Sequence, residues 1–401
     1  MGEDITDNLL IREASAQGNR VDDKDEDLPL KTRVWNESKK LWVVAGPAIF
    51  TRVSTFGTNI VSQAFIGHIS STELAAFSLV FTVLVRFANG LLSKNMIIAY
   101  VSAVTIGIHI LLSWLLTVKF KFGVAGAMVS TVIAYWLPNV CQLLFVLCGG
   151  CPETWTGFSI LAFKDLWNVV KLSLSSGVML CLELWYNTIL VLLTGNMEDA
   201  EVSIDALAIC LNINGWEMMI ALGFLATASV RVSNELGRGS AKAAKFSVVV
   251  IVLTSLSIGF VLFLIFLFLR ERLAYIFTTN EEVAKKVAEL SPLLAFSILL
   301  NSVQPVLSGV AIGAGWQSIV AYVNIACYYL IGIPVGAVLG FLLHLQVKGV
   351  WIGMLFGTFV QTIVLIILTC KTDWEKQVTV ARNRVSKWNV REDIGEPSPD
   401  T

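Results

Sequence analysis

The chain has 401 residues, of which 55% are hydrophobic and only 15% charged, with a mean hydropathy of +0.72 and a formal net charge of −1. That balance excludes an ordinary soluble domain, and it supplies no basic excess of the kind that nucleic-acid binding draws on. The expected solvent is lipid.

Residues 1–36 are polar and rich in acids (Asp22, Asp23, Asp25, Glu26, Asp27), without the basic start, apolar core and small-residue site of a cleavable signal, and are expected to form a cytoplasmic tail. Ten apolar runs follow, near 41–68, 73–92, 96–117, 123–147, 168–194, 204–230, 246–269, 288–312, 317–342 and 349–370. Each has about the 20 residues that a helix needs to cross hydrocarbon. Continuous apolarity with scattered Gly and Pro favours helices over a barrel, whose strands would alternate in short segments. The predicted fold is an all-α polytopic bundle. A first lobe of four helices (37–148), a linker (149–167), a second lobe of six (168–370) and a polar tail (371–401) complete the expected organisation. Seventeen Lys and Arg near the spans fall on one face and seven on the other, which puts both termini in the cytoplasm.

Short passages repeat. Ile97-Ile-Ala-Tyr-Val101 recurs 222 positions on as Ile319-Val-Ala-Tyr-Val323, and Val124-Ala-Gly126 recurs as Val347-Lys-Gly349. Nearer the start, Asn59 and Gly67 pair with Asn187 and Gly195, only 128 positions on. Two similar halves should keep one offset, so the first half is expected to lack roughly ninety residues that the second possesses.

An ionisable side chain at the bilayer centre costs about 2.5–3.5 kcal/mol on insertion scales and marks a functional candidate. Four stand near mid-span: Arg52 and Arg86 in the first half, Glu183 and Glu217 in the second. Tyr186 and Asn187 follow Glu183 at i+3 and i+4, forming one stripe on a helix face. Such a stripe can hold a proton and a ligand in alternation. Asn212 and Asn214 precede Glu217. Asn301, Gln304 and Pro305 fall mid-way along the eighth run, where Pro305 interrupts the backbone ladder and frees a carbonyl of the kind cavity-lining helices use. The three histidines (His68, His109, His344) have no metal-type partners at helical spacing, and neither a phosphate-binding loop nor a nucleophile elbow is present, so enzymatic chemistry is not expected. Cys148-Gly-Gly-Cys151 lacks the second pair that a zinc site needs, and the seven cysteines read as reduced structural thiols.

Four ordered passages, Ala45-Gly-Pro-Ala-Ile-Phe-Thr-Arg52, Ser62-Gln-Ala-Phe-Ile-Gly-His68, Arg231-Val-Ser-Asn-Glu-Leu-Gly237 and Leu307-Ser-Gly-Val-Ala-Ile-Gly-Ala-Gly-Trp-Gln317, resemble the plant branch of the MATE (multidrug and toxic compound extrusion) transporters. The resemblance runs from about Trp35 to Trp388. It implies two six-helix lobes around a central cleft and exchange of a proton or sodium ion for an organic solute, with no cofactor beyond the ion gradient. This chain departs from it after Phe87-Ala-Asn-Gly-Leu-Leu92, where two helices of the first lobe are missing and the sequence continues as Ser93-Lys-Asn-Met96. The resemblance places proton binding at Glu183, puts Asn301 where the family has a second acid, and leaves Glu217 as a substitute. Tyr186, Asn187, Asn212, Asn301, Gln304 and Arg52 are the expected solute contacts. The implied partners are a small organic solute or anion and the lipid bilayer, the implied location the vacuolar membrane, with the plasma membrane as alternative. Competing readings are an anion channel of the vacuolar membrane and an inactive or dominant-negative truncated isoform.

Overall fold

In the computed structural model the described residues are 28–67, 95–150, 200–269 and 280–393, together with isolated positions between 170 and 193 and between 272 and 278. Among them the only regular secondary structure is helical. The chain divides into two compact units, one taking Met1–Trp42 and Val169–Thr401, the other Val43–Asn168.

Among the described residues the second of these holds three α-helices. α1 (Leu30–Gly67) begins in the other unit and continues into this one, with Pro47 inside it. Pro47 has no N–H to donate, and the turns after it are tied by side chains: Thr51 Oγ1 donates to the Pro47 carbonyl at 2.8 Å, and Thr55 and Thr58 repeat the bond one and two turns on. α2 (Asn95–Trp114) winds into a wider turn at Leu115–Lys119 and reverses through Lys121 and Gly123, both at positive φ, into α3 (Gly123–Phe145). The close approach of α3 to α2 depends on Gly126, where a Cβ would lie 3.0 Å from that of Leu116.

The larger unit carries the remaining helices. α4 (Ala200–Arg238) is closed by Gly239 at φ +88°, and Ser240 caps α5 (Ala241–Phe268) by accepting from the Ala243 N–H at 3.0 Å. Asn280 caps α6 (Glu281–Asn301), whose first turn carries Glu281 and Glu282 against the helix dipole. The eighth predicted run is broken where Pro305 predicts. α6 stops at Asn301 and α7 (Gln304–Ala314) restarts with Pro305 in its first turn, while Ser255 Oγ donates to the buried Ser302 carbonyl at 2.7 Å. α8 (Gln317–Asn324) passes through a wide turn at Ile325–Gly332, α9 (Ile333–Ala337) and a second at Val338–Leu342. α10 (Gln346–Lys371) and the polar α11 (Trp374–Asp393) follow.

Seven helical stretches among the described residues are long and apolar enough to cross a membrane: Ala99–Lys119, Gly123–Gly149, Val202–Arg238, Ala241–Phe268, Glu281–Ala314, Gln317–Leu342 and Gln346–Lys371. They coincide with seven of the ten predicted runs. The run at 41–68 falls in α1, which is more polar; the run at 73–92, and most of the run at 168–194, lie outside the described residues. Large apolar side chains such as Phe260, Phe268, Tyr322 and Leu330 are exposed on these helices, as lipid-facing residues must be.

A buried ion cluster pins the start of α1 to the end of α4 within the larger unit. The Arg231 guanidinium donates through Nη2 to both carboxylate oxygens of Glu37 (2.7 and 2.9 Å) and to Glu235 (2.7 Å), and Ser247 Oγ donates to Glu37 at 2.7 Å. All three charged side chains are nine-tenths buried. Two carboxylates share one buried cation, and the exposed Arg238, 3.4 Å from Glu235, and Lys40, 3.9 Å from Glu37, supply further positive charge.

Candidate functional site

The larger unit contains a polar cluster built by α4, α6 and α10. Asn214 and Glu217 lie one turn apart on α4, and Asn301 is the last residue of α6, where the helix breaks before Pro305. Asn301 Nδ2 donates to Asn214 Oδ1 at 3.1 Å, and the Asn301 amide also hydrogen-bonds the Glu217 carboxyl. Glu217 is only 5% exposed, and its Oε2 has no hydrogen-bond partner. Among the described residues no Lys or Arg is paired with it. An uncompensated carboxylate in the hydrocarbon region is costly, so a proton or a cation that neutralises Glu217 is favoured there.

A cavity adjoins this cluster, lined by Asn214 and Met218 of α4, Ser297 and Asn301 of α6, Trp351, Met354 and Thr358 of α10, and the rings of Tyr186 and Tyr328. The two rings stack with centroids 4.3 Å apart, and Tyr186 Oη donates to the Met354 carbonyl at 2.9 Å. Trp351 Nε1 donates to Ser297 Oγ at 3.0 Å. Tyr186 fits because Gly357 faces it: a Cβ there would lie 2.6 Å from the phenol oxygen. The space is about 40 Å³. That is room for a few water molecules and too little for an organic solute, so in this conformation the cavity can hydrate the polar cluster but not hold cargo.

Of the residues that the sequence singled out, the structure brings together Glu217, Asn301 and, across the cavity, Tyr186. Asn212 is half-buried on α4, outside the contacts that hold the cluster, and Gln304, buried in α7, donates to Ser308 Oγ at 3.3 Å within its own helix. Arg52 lies in the smaller unit. Glu183 and Asn187, like Arg86, lie outside the described residues. Tyr328, Ser297 and Trp351 were not singled out. A tyrosine pair in a membrane run, Tyr328-Tyr329, was the available signal, since phenols buried in lipid-embedded helices need partners.

Comparison with known proteins gives the family and the fold. A family model described as MatE matches residues 176–338. Protein DETOXIFICATION 21 of Arabidopsis thaliana is 54% identical over 483 aligned positions that cover 98% of this chain and 97% of that protein. The chain belongs to the MATE family. Protein DETOXIFICATION 22 of the same plant is 53% identical, with 96% of each chain covered. The solved structure of the eukaryotic MATE transporter AtDTX14 superimposes with a TM-score of 0.79 at 24% identity, covering 88% of this chain and 99% of that one, and so shares the fold. Members of the family are transporters rather than enzymes, act on small organic substrates in the membrane and use no cofactor. This chain is accordingly a multi-pass integral membrane transporter of the MATE family. In the 483-position alignment, 98% of 401 is about 393 residues, which leaves about 90 positions unfilled here. That figure is of the size given by the jump between the repeat offsets.

Proposed function

We propose that this MATE protein exchanges protons for an organic solute, with Glu217 and Glu183 as the proton-carrying acids of the second lobe. The observation that carries the reading is the buried Glu217 carboxyl, held by Asn301, with one oxygen free and no cation paired to it among the described residues. A group so placed can be neutralised reversibly by a proton arriving through the adjoining hydrated cavity. Asn301 itself cannot titrate, but its amide couples Glu217 to the break between α6 and α7, where backbone carbonyls are already freed. Proton arrival therefore acts on a hinge-like discontinuity rather than on a rigid helix.

The solute is proposed to be a xenobiotic or a flavonoid-like secondary metabolite, the location the vacuolar membrane, and both termini cytoplasmic. Tyr186, Asn187, Asn212, Asn301, Gln304 and Arg52 remain the proposed solute contacts, which requires the cavity beside Tyr186 to widen when cargo enters. The unfilled ninety positions are proposed to fall in the first lobe after Leu92. A second reading, an anion conductance, draws on the charges of the smaller unit: its described residues include Arg52, Lys119 and Lys121 and no Asp or Glu. The test is flux in proteoliposomes with an imposed pH gradient. Antiport predicts solute accumulation that collapses with the gradient. A current that persists without any proton gradient favours the conductance, and absence of both marks the chain as an inactive isoform.

A further inference from the structure

His109, on α2, lies at the middle of the apolar stretch Ala99–Lys119 and is fully buried. Its surroundings fix which of its nitrogens carries hydrogen. Ser130 Oγ donates to the Ala127 carbonyl at 2.8 Å, so in its 2.8 Å contact with Ser113 Oγ it must accept, and Ser113 is the donor. Ser113, its one hydrogen thus committed, can only accept from His109 Nδ1, 3.5 Å away, and the Ser130 carbonyl, 3.3 Å from the same nitrogen, can likewise only accept. Nδ1 is therefore an N–H. The ring also hydrogen-bonds the backbone carbonyl of Thr58, on α1. With Nδ1 already facing two acceptors, that bond falls to Nε2.

A neutral imidazole has a single N–H and would turn a lone pair toward the Thr58 carbonyl. Only the doubly protonated ring satisfies α1, α2 and α3 at once. One turn before the ring on the same face of α2, Thr105 is 4% exposed and its hydroxyl has no hydrogen-bond partner, which offers a relay point for a proton. The charged groups that these three helices and their connecting turn carry among the described residues of this unit are the cations Arg52, Lys119 and Lys121; the weak acids are Tyr100, Tyr135, Cys141 and Cys148. None is a carboxylate, so no Asp or Glu described here shares the proton.

We propose that His109 is a proton-binding site of the first lobe, which clasps α1 to α2 and α3 through Thr58 when both ring nitrogens are protonated and releases α1 when Nε2 is not. It is separate from Glu217 and does not depend on that group being the transport proton site.

The test uses the full chain in nanodiscs with 15N-labelled histidine. The three ring signals are assigned with His68→Gln and His344→Gln, so that His109 itself is read in the unaltered site. The expected result is conversion of His109 from imidazolium to the Nδ1–H neutral tautomer in a single step as the pH is raised. Hydrogen exchange of the α1 amides around Thr58 should rise about tenfold over the same step, the ratio matching loss of one hydrogen bond of ordinary net strength. In His109→Gln, which cannot titrate, exchange around Thr58 should become independent of pH. A ring that remains one neutral tautomer throughout, or one that titrates without any change in α1 exchange, overturns the proposal.

Discussion

Glu217→Gln is expected to lower pH-gradient-driven solute accumulation by about 10–100-fold, the range of a typical coupling free energy between two binding events. Gln keeps the size of the side chain and its bond to Asn301, and loses only the capacity to take up and release a proton. The protein should fold, insert and bind solute, and its remaining flux should be independent of the gradient. Glu183→Gln is expected to go further and abolish gradient-driven transport, since the resemblance places the primary acid there. Measurement of initial uptake rates across a series of imposed gradients separates the two: normal rates with unchanged pH dependence in either variant would make that residue structural.

Arg231→Ala should be the most destabilising single substitution considered, by about 3–5 kcal/mol, because it leaves the Glu37 and Glu235 carboxylates buried near one another without their shared cation. The loss is expected in denaturant-induced unfolding of the purified protein and in release of the start of α1 to protease. The contrasting triple variant replaces Arg231 together with Glu37 and Glu235 by apolar residues of similar volume. Removing every charge at once removes the desolvation penalty with the attraction, and such replacements are often neutral or stabilising. If Arg231→Ala unfolds at the same denaturant concentration as the unaltered protein, the cluster contributes nothing to holding α1 in the larger unit.

The sequence announces what depends on local chemistry. Run length and hydropathy mark seven of the spans, and the missing N–H of Pro305 marks the break between α6 and α7. Glu217 is legible because a carboxyl in lipid is costly wherever it sits. Pairings between distant segments are not legible. Asn214 and Asn301 are separated by 87 positions and Arg231 and Glu37 by 194, and no periodicity within one helix indicates which residue of another it will meet. The role of Tyr186 was only half readable: its place on a polar stripe follows from helical spacing, whereas its stacking on Tyr328 and its bond to the Met354 carbonyl come from packing. The small size of the cavity also emerges only from packing, since wide turns and glycine contacts at Gly332 and Gly357 decide how closely α10 approaches the Tyr186 ring.

The measurement closest to the central claim counts protons rather than flux. Purified protein in weakly buffered detergent solution receives a planar phenolic solute such as a flavonoid glucoside, and the change in pH is followed with an indicator dye. If solute and proton alternate at the second lobe, solute addition releases protons in saturable fashion from the unaltered chain, and Glu217→Gln releases fewer at equal solute occupancy. Saturable solute binding with no proton release from the unaltered chain, or with the same release from Glu217→Gln, would contradict it.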